Sequence, residues 1–278
     1  MILVNGQTDI QLSPTDRGFQ YGDGLFETLY VNQAGIEFWR EHLQRLSEGC
    51  QRLGLKPPNE SLLFNESRRL IDNSTTPAVL KILISRSGAG RGYRPPVDHQ
   101  VTRIVSLHPL ALYPDHWQTE GVQVRICSTL ASINPSLAGI KHINRLEQVL
   151  ARTEWGDERI AEGLMFDALG RLIEGTMTNV FLVKGGELYT PNIAHAGVLG
   201  VMRRVLIDAA ARLDIAVHVG DIDQEQLAQA DEVLLTNSII GVWLVKSVDE
   251  FSYSLGQIGQ QLQLEVGRIR QKQTLALS

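Results

Sequence analysis

Cysteine is scarce in this sequence: Cys50 and Cys127 are the only two in 278 residues. A disulfide framework is thereby excluded as the source of stability, and a reducing compartment is the expected setting. Long apolar runs are missing too, which excludes a membrane-spanning helix. Positive charge is not in excess. Lys and Arg number 26 against 31 Asp and Glu, a net charge of −5, so no general attraction to nucleic acid or an anionic membrane is expected. A local basic patch would still suit an anionic small molecule. The opening residues Met1 to Leu12 lack the basic start and apolar core of a secretory signal, so the expected location is cytoplasmic. What is present, 43% hydrophobic and 21% charged residues, is the balance of a globular enzyme. At ~150 residues per domain the length suggests two domains.

Periodicity fills in the elements. Ile2 to Leu12 reads as a hairpin about Asn5-Gly6, Leu25 to Val31 as a strand, and Ile36 to Trp39 as its return. Leu43, Leu46, Cys50 and Leu53 place a helix over about 40–53, which Gly54 and then Pro57-Pro58 end. A second helix is expected over 60–72, with buried strands over 79–85 and 102–107. The pattern weakens between Leu112 and Glu120, where the domain boundary is expected: 1–115 forms a smaller N-terminal α/β domain and 121–278 a larger C-terminal one. The second half reads as strands near 122–127, 164–167, 178–183, 187–189, 233–235 and 242–246. Helices are expected over 143–155, 200–213 and 254–271. Strands and helices mix without regular βαβ alternation, so the expected class is α+β or mixed α/β.

Several chemistries are excluded by motif. There is no His-Glu-x-x-His, the cysteines are unpaired and the seven histidines are scattered, so no dedicated metal site is expected. No G-x-x-x-x-G-K-[ST] phosphate loop occurs. The glycine-rich run Ser85 to Tyr93 follows a strand but leads to Pro95-Pro96 instead of a helix, which rejects a dinucleotide fingerprint. It reads equally as a cationic substrate loop or as a connection with solvated arginines.

Three segments carry chemistry. Lysine is scarce, six against twenty arginines, and Lys141 lies in Leu137-Ala138-Gly139-Ile140-Lys141-His142-Ile143-Asn144-Arg145-Leu146. An ammonium held against apolar surface is disfavoured, which frees an amine for covalent attachment to a carbonyl. Taken alone, such a lysine reads more often as an exposed residue. Leu172 to Phe181 sets Glu174 before a turn rich in hydroxyl and amide groups, able to meet a phosphate or a ring N–H, or to be an ordinary β-turn. Gly197-Val198-Leu199-Gly200-Val201-Met202 enters a helix whose first N–H groups would suit an anion, or simply starts with a glycine cap.

In order, the motifs Asp16 to Thr28, His42-Leu43-Gln44-Arg45-Leu46, Lys141, Glu174 with Asn179, and the Gly200-Val201 helix entry resemble the fold-type IV pyridoxal-phosphate enzymes. This is the group of branched-chain and D-amino acid aminotransferases and their lyase relatives, and the resemblance covers essentially the whole chain. Ser85 to Tyr93 and Asn134 to Leu150 are similar to the lyase branch, whose members release pyruvate from 4-amino-4-deoxychorismate and leave 4-aminobenzoate, the folate precursor. The resemblance implies a two-domain fold with a C-terminal domain that binds pyridoxal 5′-phosphate, a small-molecule substrate, and a homodimer. It implies that Lys141 holds the cofactor covalently and then serves as acid and base. Glu174 would pair with the pyridine nitrogen and Arg45 would grip the phosphate bidentately. Asn179, the backbone N–H groups of Val201 and Met202, Ser238 and Thr178 would complete the cofactor site. Arg91 and Tyr93 would meet the substrate carboxylates, and Phe26 would line the pocket. Asn237-Ser238-Ile239-Ile240-Gly241 departs from the aminotransferase pattern, which places Ser238 in question. The alternatives are an aminotransferase of the same fold type and an inactive scaffold, the latter opposed by Lys141, Glu174 and Arg45.

Overall fold

The computed structural model describes residues 1–8, 11–72, 74, 77–88 and 92–277. Its contacts divide the chain into two units. The first holds residues 1–111, 140–144 and 273–278; the second holds 112–139 and 145–272. The sequence suggested one boundary and two continuous halves. The described chain instead returns to the first unit for five residues that include Lys141.

In the first unit the elements are β1 (Ile2–Val4), α1 (Arg17–Tyr21), β2 (Gly24–Asn32), β3 (Gly35–Glu37), α2 (Trp39–Leu53), α3 (Glu60–Ile71), β4 (Ala78–Arg86) and β5 (Val101–Pro109). They form an antiparallel sheet of order β1-β5-β4-β2-β3, closed at the far edge by the terminal strand Thr274–Leu275. The expected hairpin at Asn5-Gly6 is only a turn bridged from Val4 to Gln7, because β1 pairs with β5 instead. β2 alternates as its sequence suggests. Leu25, Glu27, Leu29 and Val31 are buried on one face, which sets a carboxylate where an apolar residue would be expected. α2 meets that face with His42, Leu46, Gly49 and Cys50.

The second unit contains α4 (His116–Glu120), β6 (Val122–Ile126), α5 (Leu146–Arg152), β7 (Ile160–Phe166), β8 (Leu172–Gly175), β9 (Asn179–Lys184) and β10 (Glu187–Pro191). It continues with α6 (Val201–Arg212), β11 (Val217–Gly220), α7 (Gln224–Ala228), β12 (Glu232–Asn237), β13 (Gly241–Val248) and α8 (Gln257–Lys272). Its mixed sheet runs β11-β10-β9-β12-β13-β6-β7-β8, with the short strand Phe251–Ser252 on β13. Leu164, Val180, Leu235 and Val245 are fully buried in its core. The expected helix over 143–155 is the shorter α5. Ile143 and Asn144 are engaged elsewhere, the former donating its N–H to Gly24 and the latter its side-chain amide to Gly22. α8 starts three residues later than its periodicity suggests. The Glu232 carboxylate accepts the Gly259 N–H at 2.7 Å and thereby sets the first turn. The fold is α+β with mixed sheet order.

Candidate active site

In the first unit, residues 140–144 lie as a strap on the start of β2. Phe26 donates its N–H to the Lys141 carbonyl at 2.9 Å, and His142 bridges Leu25. These main-chain bonds set the half-buried Lys141 side chain over the Phe26 ring, with Nζ 4.4 Å from its centroid. Lys81, opposite Thr28 on β4, places its own Nζ 5.4 Å from the same ring. The aromatic face thus holds two amines in a partly dry setting.

Arg45 projects from α2 toward the buried face of β2. Its Nε donates to Glu27 Oε1 at 2.8 Å, and its Nη2 donates to Oε2. His42, one turn earlier, places Nδ1 2.6 Å from the same Oε2. The Nε–Nη2 edge of the arginine is therefore committed to Glu27. A bidentate grip on phosphate would have to use the other edge, which amends the simple reading from sequence. Burial alone would push the Glu27 carboxyl up, but Arg45 and His42 hold it at about 2. Burial pulls the His42 imidazole below its ordinary 6.5, against the attraction of Glu27. The neutral imidazole then gives its Nδ1 proton to Glu27, and the buried Nε2 makes no hydrogen bond.

Both shifts have the same sign for stability against acid. The stabilisation from Glu27 is present above about 4.5 and is lost as the pH falls toward about 2. With a lowered His42 pKa the unfolded chain takes the proton first, so stability already declines as the pH falls below about 6.5. Melting of wild type and His42→Gln compared at pH 7 and 5 isolates the histidine: the wild type should lose more. An equal loss in both would refute the assignment.

In the second unit, Glu174 is buried near the end of β8. Its Oε2 accepts the Val198 N–H at 2.9 Å and the Asn179 side-chain amide at 3.3 Å. Asn179 also donates to the Val198 carbonyl at 2.9 Å, so this amide orients the carboxylate. Gly139 pairs with the same segment, its N–H on Gly197 and its carbonyl on the Leu199 N–H. The carboxylate, the amide and the entry of α6 come together here. A Cβ at Gly200 would lie 2.0 Å from Asn179 Oδ1, so only glycine permits the approach. Gly200 supplies no side-chain cap, which presents the Val201 and Met202 N–H groups as donors.

The remaining expected residues lie as follows. The buried Thr178 donates its hydroxyl to Glu162 Oε2 at 3.0 Å, and this uses its single proton. That removes the Thr178 hydroxyl as a phosphate donor while the contact holds. Ser238 lies in a turn capped by Asn237, whose Oδ1 accepts the Ile239 and Ile240 N–H groups at 2.8 and 2.9 Å. Tyr93 is 86% exposed, set edge-on to Tyr21, with its carbonyl accepting from Arg17 at 2.9 Å. Arg91 lies outside the described residues. The sequence reading missed Glu27 and Glu162 as partners. For Glu27 the signal was a carboxylate at a buried position of an alternating strand, which needs specific donors to be tolerated; Glu162 lies outside the strand expected near 164–167 and gave none. Among the described residues no group of three or more His, Cys, Asp or Glu could hold a metal ion. Nor, among the described residues, is any helix long and apolar enough to cross a membrane.

The family model for class IV aminotransferases matches residues 24–248, and the chain belongs to that family, the fold-type IV enzymes of pyridoxal phosphate. Within it, the chain is 35% identical to the aminodeoxychorismate lyase of Vibrio harveyi, over 95% of this chain and 98% of that one. The crystal structure of 4-amino-4-deoxychorismate lyase from Pseudomonas aeruginosa superposes with a TM-score of 0.91 at 39% identity, covering 96% of this chain and 98% of that one. The branched-chain amino acid aminotransferase from Escherichia coli shares the fold with a TM-score of 0.85 at 24% identity, over 99% and 95% of the two chains.

Proposed function

We propose that the chain is a pyridoxal-phosphate-dependent lyase that converts 4-amino-4-deoxychorismate to 4-aminobenzoate and pyruvate, a step of folate biosynthesis. The observation that carries the reading is whole-length likeness to two such lyases, at 35% and 39% identity. The donor sets fit the cofactor. The first unit offers an amine on an aromatic face, and the second a doubly held carboxylate beside an uncapped helix start. Lys141, Glu174, Val201, Met202 and the outer edge of Arg45 would hold it, with Ser238 as a further donor. Asn179 acts on it through Glu174.

When bound, the cofactor supplies an electron sink next to the substrate's amine. Lys141 Nζ takes the proton from the amine-bearing ring carbon. Glu174 keeps a proton on the pyridine nitrogen. Phe26 shields the Lys141 amine from water, and Tyr93 contributes a hydroxyl toward the carboxylates. The ring C–O bond to the enolpyruvyl group then breaks with its electron pair going to oxygen, and the ring becomes aromatic. Protonation of the enol gives pyruvate. The atoms of the substrate equal those of the two products, so no second substrate is needed. An aminotransferase would require one.

The test is incubation with 4-amino-4-deoxychorismate alone. Equimolar 4-aminobenzoate and pyruvate are expected without any keto acid. Turnover only with 2-oxoglutarate, with glutamate formed, would replace the lyase by the aminotransferase alternative. The enzyme works as a homodimer in this reading, supported by Leu146, Val149 and Leu150, which form an exposed apolar stripe along α5. It is placed in the cytoplasm, where the buried thiols Cys50 and Cys127 remain reduced.

A further inference from the structure

Among the buried carboxylates that the function leaves unused, Glu162 stands beside the candidate site. Glu162, on β7, is 0% exposed and accepts five hydrogen bonds. Its Oε1 takes the Gly163 N–H at 2.9 Å, the Thr176 N–H at 3.1 Å and the Thr176 hydroxyl at 2.5 Å. Its Oε2 takes the Met177 N–H and the Thr178 hydroxyl, each at 3.0 Å. Four of the five donors belong to the turn 175–178, which joins β8, the strand that carries Glu174, to β9, which starts at Asn179. The fit is close: a Cβ on Gly175 would lie 2.3 Å from Thr178 Oγ1 and 2.8 Å from Glu162 Oε2. Met177 extends the connection, since its carbonyl accepts the Asn237 amide at 3.1 Å and Asn237 caps the turn that carries Ser238. Burial pushes the Glu162 carboxyl above its usual range, against the donors of Thr176, Gly163, Met177 and Thr178.

An apolar side chain would fill this volume without the desolvation cost of a carboxylate. What a carboxylate adds is geometry, because it accepts at both oxygens and so fixes two successive N–H groups of one turn. We propose that Glu162 is a positioning residue that holds the 175–178 turn, and through it Glu174 and the Ser238 turn, in the arrangement that receives pyridoxal phosphate. The proposal rests on the cofactor assignment above but not on the choice of lyase over aminotransferase.

Glu162→Gln tests it. Whichever way the amide is turned, its NH2 meets a backbone N–H, of Gly163 and Thr176 or of Met177, and a backbone N–H cannot turn to accept. Pyridoxal 5′-phosphate is titrated into the cofactor-free proteins, and the thermal midpoint of each cofactor-free protein is measured alongside. The dissociation constant should rise at least tenfold for Glu162→Gln. It should rise severalfold for Thr176→Val, which removes one donor and leaves the carboxylate in place. Affinities within twofold of wild type for both variants, whatever their melting points, would overturn the proposal and leave Glu162 a role in the fold alone. Should Glu162→Gln not fold, Thr176→Val decides by the same criterion. A wild type that binds pyridoxal phosphate but forms no 4-aminobenzoate would end the lyase reading and leave this comparison intact. One that takes up no pyridoxal phosphate would overturn both.

Discussion

Lys141→Ala is expected to abolish turnover, with a loss of roughly 10³-fold or more, since it removes both the covalent anchor and the acid–base group. Visible absorbance of the loaded protein should vanish with it. The wild type, loaded with pyridoxal phosphate and reduced with borohydride, should carry the pyridoxyl label on the peptide containing Lys141. Lys81 is the sharp control, because its Nζ approaches the same Phe26 ring at 5.4 Å against 4.4 Å for Lys141. What separates the two lysines is the main chain. Lys81 is one residue of a regular strand opposite Thr28. Lys141 sits in a strap whose carbonyl is bonded to Phe26 and whose neighbours Ile143 and Asn144 are tied to Gly24 and Gly22. A strap of this kind orients one amine with little freedom, as a covalent anchor requires. Recovery of the label on Lys81 would sink the assignment.

The same strap marks where sequence reading ends. The alternation of β2 and the 3.6-residue period of α2 are local, and both elements stand where their patterns place them. The departure of residues 140–144 to the first unit rests on pairing across more than a hundred residues, to which no local pattern is sensitive. It also delays the start of α5, since Ile143 and Asn144, which the helical pattern included, are tied to Gly24 and Gly22 instead. The chemistry divides in the same way. Lys141 and Glu174 were found because of the motifs around them. The commitment of Arg45 to Glu27, and of Thr178 to Glu162, depends on which strand faces which side chain. Glu27 was visible as a charged residue at a buried position of an alternating strand, but its partner was not; Glu162 lies ahead of the strand expected near 164–167, on a strand buried on both faces, and carried no such signal.

Glu174→Gln is expected to lower kcat by roughly ten- to a hundredfold while the protein still folds and takes up pyridoxal phosphate. The amide can keep a carbonyl oxygen where Oε2 now accepts from Val198 and Asn179, so these two hydrogen bonds survive while the charge is lost. The charge is what holds a proton on the pyridine nitrogen, and a charge-assisted contact of this type is worth about 1.5–3 kcal/mol, where each 1.36 kcal/mol is a factor of ten in rate. The loss should therefore fall on kcat, with cofactor affinity much less affected. Glu162→Gln should show the reverse, weaker cofactor binding, because it disturbs the turn and not the charge at the ring. Measuring both variants for kcat and for the dissociation constant of pyridoxal phosphate separates the two carboxylates. If Glu174→Gln retained wild-type kcat, the ring nitrogen would not depend on this residue. Glu174 would then be left with the structural role of its contacts to Val198 and Asn179.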